Sequence, residues 1–194
     1  MMRKIIVLVV AVAGGSLWTA PIRAQETNAC LLVPATKLEA FETNTDTVII
    51  RATAPIGTVP AHGGGVAVRC REITDVGTGH RESGIIIDIS FEAQLEVTAL
   101  IDYDELDSLL DGLEYLGKLD WTVTTLPDFS ALYTTKGGFR ADAHGSRRTG
   151  NIEFAARSTR LVGPRLTLSR DQLSQLRSLI DQAKTKLDSL RKAK

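Results

Sequence analysis

Cysteine is nearly missing: the 194 residues hold two, too few for a small scaffold built on a disulfide framework. Aromatic residues make up 5% of the chain. Only Tyr133 and Phe139 fall near its basic stretches, so a platform for stacking bases is poorly supplied. Histidine occurs three times, as His62, His80 and His144. The intervals between His62, Cys70 and His80 match no zinc spacing, and solvent-exposed turn histidines are the plainer reading. No Gly-x-Ser-x-Gly elbow is present, although a triad can be assembled from separated residues. Gly63-Gly64-Gly65 lacks a following Lys-Ser/Thr and precedes a strand pattern, so it is not a phosphate loop. Net charge is zero, which argues against a globally basic nucleic-acid binder. What is present is ordinary. With 43% hydrophobic and 24% charged residues, the chain is globular rather than collagen-like, mucin-like or disordered. Its length suits one domain, or two small ones.

The first 24 residues read as an export signal. Arg3 and Lys4 form a positive start, Ile5 to Ala13 is an unbroken apolar run, and Gly14, Gly15 and Pro21 follow. Cleavage after Ala24 leaves a small residue at the cut, although Ile22 is larger than ideal; Ala20 is the alternative site. A retained membrane anchor is the competing reading, but a spanning helix needs roughly 20 apolar residues and this run is interrupted. Lipidation at Cys30 is a third, opposed by Thr27 and Asn28 in front of it. Removing 1–24 leaves 170 residues with three more acids than bases. Residues 25–36 read as a linker and 37–194 as a single domain. In an oxidising compartment Cys30 and Cys70 are expected to bridge, which would stabilise the chain by roughly 3–4 kcal/mol; two unpaired thiols are the alternative.

From Lys37 strand patterns dominate. Thr47 to Thr53 is β-branched and is expected to stop at Pro55; Pro60 to Gly65 reads as a loop, and Val66 to Cys70 as a strand. Ile85, Ile87, Ile89 and Phe91 alternate with Ile86, Asp88, Ser90 and Glu92, a period of two. Leu95, Val97 and Ala99 are read as continuing it past a bulge. The period then lengthens. Asp102 and Glu105 form a capping box before Leu106, Leu109, Leu110, Leu113 and Leu116. Gly112 inside this helix suggests close packing of a strand. Trp121–Thr125, Phe129–Thr135, Phe139–His144 and Ile152–Ser158 follow as strands, and Val162–Leu168 as an edge strand because of Pro164. Ser169 and Gln172 form a second capping box before Leu173, Leu176, Ile180, Ala183, Leu187 and Leu190. That spacing also suits a coiled-coil seam, but Leu179 widens the stripe toward sheet packing.

The two helix starts repeat at an offset of 67 residues. Asp104, Leu106 and Leu109 recur as Asp171, Leu173 and Leu176, and Ile85 falls on Ile152. The expected fold is therefore α+β and antiparallel, with two sheet-plus-helix pseudo-repeats (37–117 and 118–194) sharing one core.

Leu100 to Leu109, Ala131 to Phe139, Gly150 to Glu153 and Ala183 to Leu190 resemble stretches of an uncharacterised family of exported bacterial proteins, over roughly residues 84–190. The resemblance implies export and a single domain, and no activity or cofactor. The layout is also similar to that of single-stranded nucleic-acid binders of the Whirly type, by analogy of architecture alone.

Charge is distributed unevenly. Residues 72–111 carry eleven acids and one base, and 136–170 carry eight bases and two acids. Two readings stay open. Arg140, Arg147, Arg148, Arg157 and Arg160 form a face for an anionic envelope ligand, or the two charge runs neutralise each other or are simply solvated. Asp102, Asp104, Glu105, Asp107 and Asp111 are read as favourable acids at a helix start rather than a Ca²⁺ loop. No metal or cofactor is expected, and nucleic acid is not the expected partner. The expected function is a non-enzymatic binding or interaction module of the cell envelope. The alternative is an envelope enzyme with an active site that no motif reveals.

Overall fold

The computed structural model describes residues 33–92, 95–160 and 165–192. The export signal with its cleavage near Ala24, most of the 25–36 linker, and Cys30 lie outside the described residues. The chain order begins with a short helix α1 (Lys37–Glu42) and strands β1 (Ile49–Ala61), β2 (Gly64–Asp75), β3 (Arg81–Phe91) and β4 (Glu96–Asp102). A 3₁₀ turn (Tyr103–Glu105) leads into α2 (Leu106–Gly117), followed by β5 (Asp128–Thr134), β6 (Phe139–Ser146), β7 (Asn151–Ser158), β8 (Leu166–Leu168) and α3 (Arg170–Lys192). Each set of four strands is an antiparallel meander, β1-β2-β3-β4 and β5-β6-β7-β8. The architecture is thus α+β with two sheet-plus-helix units. The 67-residue repeat falls on equivalent places: Ile85 in β3 matches Ile152 in β7, and Ile101 in β4 matches Leu168 in β8.

Several boundaries differ from the sequence reading. β1 continues through Pro55 and Pro60 to Ala61. It is an edge strand, where a proline's missing N–H costs no ladder bond on the open side, and the register shifts between Pro55 and Gly57. The loop expected over 60–65 shrinks to a turn at His62 and Gly63, with Gly63 at φ 84°. Leu95 to Ala99 does not prolong β3. The Phe91 N–H donates to Leu95 O at 2.9 Å, the chain reverses, and Val97 and Ala99 return opposite Ile89 and Ile87. Trp121–Thr125 forms turns and bends instead of a strand. Its backbone is satisfied locally, with Asp120 accepting from the Thr122 N–H at 2.8 Å.

The main core joins both sheets and both long helices. Val66, Val68, Ile85, Ile87 and Ile101 from the first sheet meet Phe139, Ala141, Phe154 and Leu168 from the second, with the leucines of α2 and α3 between them. The helices do not lie on the sheets that precede them, as the simplest duplication would have it. α3 covers the first sheet: Leu179 packs over Gly57, and the Cys70 thiol approaches Ala183 O at 3.6 Å. α2 lies against β5, where a Cβ on Gly112 would sit 2.4 Å from the Tyr133 ring. Gly112 costs the helix about 1 kcal/mol relative to Ala, and the ring of β5 takes the space. Cys70 is 3% exposed, and burial pushes its thiol pKa up. A bridge to Cys30 would have to reach that sulfur beneath α3.

The outer face of the first sheet carries a second, smaller core. Leu38 and Phe41 of α1 pack on Ile73, flanked by Ile49 and Leu100. Nearby, Ile86 and Asp88 are both buried. Asp88 is tolerated there because Arg69 approaches it at 2.6 Å and the Thr98 hydroxyl donates to it at 2.7 Å.

The turn between β2 and β3 is organised by Asp75. Its carboxylate accepts from the Thr47 hydroxyl at 2.5 Å and from the Gly77 and Thr78 N–H groups at 2.8 and 3.3 Å. The Thr47 bond, seconded by those backbone donors, holds the Asp75 pKa below the usual carboxylate value. A depressed folded-state pKa stabilises the fold above the unfolded value of about 3.9, and the contribution fades as pH falls through the folded value. Urea unfolding across that range should therefore show the stability gap between wild type and Asp75→Asn constant near neutrality and shrinking below about pH 4. Parallel curves throughout would exclude this role for the charge.

Candidate functional site

The five arginines do not form one patch. Arg140 and Arg157 are direct cross-strand partners on the outer face of the second sheet. Asp142, two residues along β6 and 3% exposed, has Arg157 at 3.5 Å and His144 at 3.3 Å from Oδ2. Two like charges directly opposite are unfavourable, and the carboxylate offsets the one on Arg157. Arg140 also donates to the Thr134 hydroxyl at 2.9 Å. Arg160 leaves the face to pair with Glu39 of α1. Arg147 lies at the far end, about 23 Å along β6 from Arg140 at some 3.3 Å per residue. It is a structural pin: its guanidinium donates to the carbonyls of Trp121, Thr124 and Leu126 and lies 5.6 Å from the Trp121 ring centroid. Those bonds hold the segment that the sequence suggested as a strand. Arg148, the next residue, projects exposed at the β6–β7 tip.

The acids of 72–111 are met mostly from elsewhere than the arginines of 136–170. Asp104 pairs with Lys37 at 3.0 Å and Asp107 with Lys184 at 3.3 Å. The Asp102 carboxylate accepts from the N–H groups of Lys37 and Leu38, at 2.8 and 3.1 Å. It makes no side-chain cap to its own helix. Glu105 accepts from the Lys136 N–H at 2.9 Å. The first capping box is therefore not formed; both acids are spent on distant backbone. The second does form: Ser169 and Gln172 exchange bonds at 2.7 and 3.1 Å.

His80 stacks near Phe41, ring centroids 4.9 Å apart. His144 is oriented by Asp142 and stands opposite Ser130 across β5–β6. Among the described residues no hydrogen bond joins that serine to the imidazole. His62 lies in its hairpin turn and borders a cleft of about 780 Å³.

That cleft is composite. His62 comes from the first sheet, Trp121 from the segment after α2, Asn151 and Glu153 from β7, Thr167 from β8, and Gln172 from α3. Gln172 fastens its two sides by donating to Pro60 O at 2.7 Å. Arg170, also in the wall, is committed to the carbonyls of Gly117 and Leu119. Glu153 is paired with Arg165 at 3.0 Å. A smaller depression of about 310 Å³ is lined by His144, Ser146, Arg148 and Thr149. It shares Asn151 and Glu153 with the first, so the two adjoin along the start of β7. Of their polar lining, only Arg148, His62 and His144 belong to what the sequence nominated or noted as candidate chemistry. Trp121, Asn151, Thr167 and Gln172 were missed because each is unremarkable alone. No helix among the described residues is long and apolar enough to cross a membrane. No family model, curated protein or solved structure matches this chain.

Proposed function

We propose that this chain is an exported, non-catalytic binding module that takes an elongated, hydroxyl-rich anionic ligand, an acidic polysaccharide of the cell envelope. The observation that carries the reading is the pair of adjoining depressions along β7. Their lining is mostly amide, hydroxyl and aromatic (Asn151, Thr149, Thr167, Gln172, Trp121), with Arg148 at one end. Amide and hydroxyl groups suit a polyol, and a guanidinium suits a carboxylate or sulfate. Of the two acids in the walls, Glu153 is already paired with Arg165 and Asp128 stands at the β5 side of the smaller depression.

Only Trp18 and Trp121 are present in the sequence. In a chain carrying Trp18→Phe, indole fluorescence therefore reports from the cleft itself. Heparin oligosaccharide, used as an acidic-glycan probe, should shift that fluorescence and lose affinity as salt rises. Arg148→Ala should weaken binding by about tenfold, the loss of one charge-assisted contact. Arg147→Ala is the wrong probe, since it releases the loop that carries Trp121. A fluorescence signal indifferent to heparin, or binding untouched by Arg148→Ala, would reject this site.

A further inference from the structure

Among the described residues four strand edges border the two sheets, and three are guarded. β1 carries Pro55 and Pro60 and a register shift. β8 is three residues long. β4 is overlain at Leu100 by the Gly137 turn and carries Glu96. β5 has none of these devices. Its sequence, Asp128-Phe-Ser-Ala-Leu-Tyr-Thr134, holds no proline and no interior charge. Such an edge templates pairing unless something covers it.

The ladder fixes which groups are free. The Thr135 N–H donates to Phe139 O at 2.9 Å, and the Arg147 N–H to Pro127 O at 2.8 Å. With the intervening register unbroken, Phe129, Ala131 and Tyr133 turn their backbone groups toward β6. Asp128, Ser130, Leu132 and Thr134 then aim theirs at the open edge. The side chains of those four residues stand on the exposed face, Leu132 at 56% exposure. The other face of the strand is occupied by α2, where the Tyr133 hydroxyl donates to Ser108 Oγ at 2.9 Å.

We infer that β5 is a self-association edge, and that its occupant is β5 of a second copy of this chain, paired antiparallel about Leu132. The sequence is self-complementary in that register. Leu132 meets Leu132 of the second copy, Ser130 meets Thr134, and Asp128 comes opposite Lys136. The central pairs exchange about six backbone hydrogen bonds, the exposed leucine is buried against its copy, and each end gains an opposite-charge pair. The product is one continuous sheet of eight strands, closed by two-fold symmetry so that no further copy can add at β5. β8, at the far edge, keeps the 780 Å³ cleft away from this contact, while the smaller depression, bordered by Asp128 and Phe129, adjoins it; the self-association rests on the strand edge and not on the ligand proposed above.

Sedimentation velocity of the purified chain should show a dimer. Leu132→Lys places a charge on a side chain already in solvent, so it leaves the monomer fold intact while opposing two lysines in the dimer. It should raise the dimer dissociation constant at least about tenfold. Asp128→Lys should weaken the dimer by repulsion from Lys136, and the double exchange Asp128→Lys/Lys136→Asp should restore it. A monomer at every concentration up to the solubility limit overturns the inference. So does a dimer indifferent to Leu132→Lys, which would associate elsewhere. A dimer that Leu132→Lys disrupts but the charge exchange does not restore overturns the register.

Discussion

Asp102→Ala is expected to lower the unfolding free energy by about 3 kcal/mol, well beyond the loss of an ordinary helix cap. An N-cap aspartate removed from its own helix costs about 1 kcal/mol. Here the carboxylate is 2% exposed and accepts from the first two N–H groups of α1, 65 and 64 residues away. Each bond to a charged acceptor contributes roughly 1.5–3 kcal/mol. The loss is moderated because a freed helix end regains water. A six-residue helix does not persist alone, so α1 should loosen with its anchor and uncover Leu38 and Phe41 together with Ile73. Urea denaturation measures the free energy, and hydrogen exchange of the Ala40 amide, which donates to Thr36 O, reports the local release. Asp102→Asn keeps an acceptor without the charge and should fall between the two. A loss of 1 kcal/mol or less for the alanine variant would mean that the contact across the sheet contributes little.

The same residue shows where sequence reading stops. Asp102-x-x-Glu105 and Ser169-x-x-Gln172 present the same capping pattern, and only the second is realised as a reciprocal cap. Both sit at the junction of a last strand and a helix, so local rules rank them equally. The difference lies in what else arrives: α1 and the Lys136 amide compete for the first pair of acids. Periodicity alone placed the helices, since the apolar stripes of α2 and α3 are wide and regular. It also placed β3, β5, β6 and β7 to within a few residues. It failed at β1, where prolines on an edge look like prolines in a loop. It failed at Trp121–Thr125, whose β-branched residues never find a neighbouring strand. Alternation also understated burial on the outer face of β3: Asp88 reads as a solvent position and is buried under Arg69.

The candidate site was less legible than the fold for a related reason. Arginine clustering in sequence says that strands are basic, not where each guanidinium goes. Successive residues on a strand face opposite ways, and the far ends of a hairpin lie many ångströms apart. Arg147 and Arg160 became structural ties, Arg157 pairs with Asp142, Arg140 donates to Thr134, and Arg148 alone of the five stayed at a cavity. The cleft itself is assembled from pieces at positions 62, 121, 151–154 and 167–172. No local pattern marks such a site, because its members meet only once the second helix has crossed to the first sheet.

The β5–β6 turn, set against β4 of the first sheet, supplies the other large expected effect. Gly137→Ala should destabilise the fold by about 3 kcal/mol or more, in the upper range for overpacking. A Cβ at this position would lie 1.7 Å from Leu100 O and 2.8 Å from its carbonyl carbon. These are backbone atoms of β4, which cannot swing aside as a side-chain tip can. Retreat of the turn would also strain the Lys136 N–H bond to Glu105 at 2.9 Å. Thr135 and Phe139, which pair across the turn and are both buried, would be drawn with it. The β5–β6 turn would then separate from β4, loosening the contact between the two sheets rather than one loop. Gly150→Ala is the control. Gly150 has φ 67° and nothing within 4 Å of its would-be Cβ, so it carries only the backbone penalty of about 1–2 kcal/mol. Urea unfolding of the two variants, compared at equal dependence on denaturant, separates collision from backbone strain. A loss at Gly137 no larger than that at Gly150 would show that β4 tolerates the intrusion, since Gly137 itself has no positive φ. A loss at Gly137 at least twice that at Gly150 is the outcome expected from a turn wedged against the neighbouring sheet.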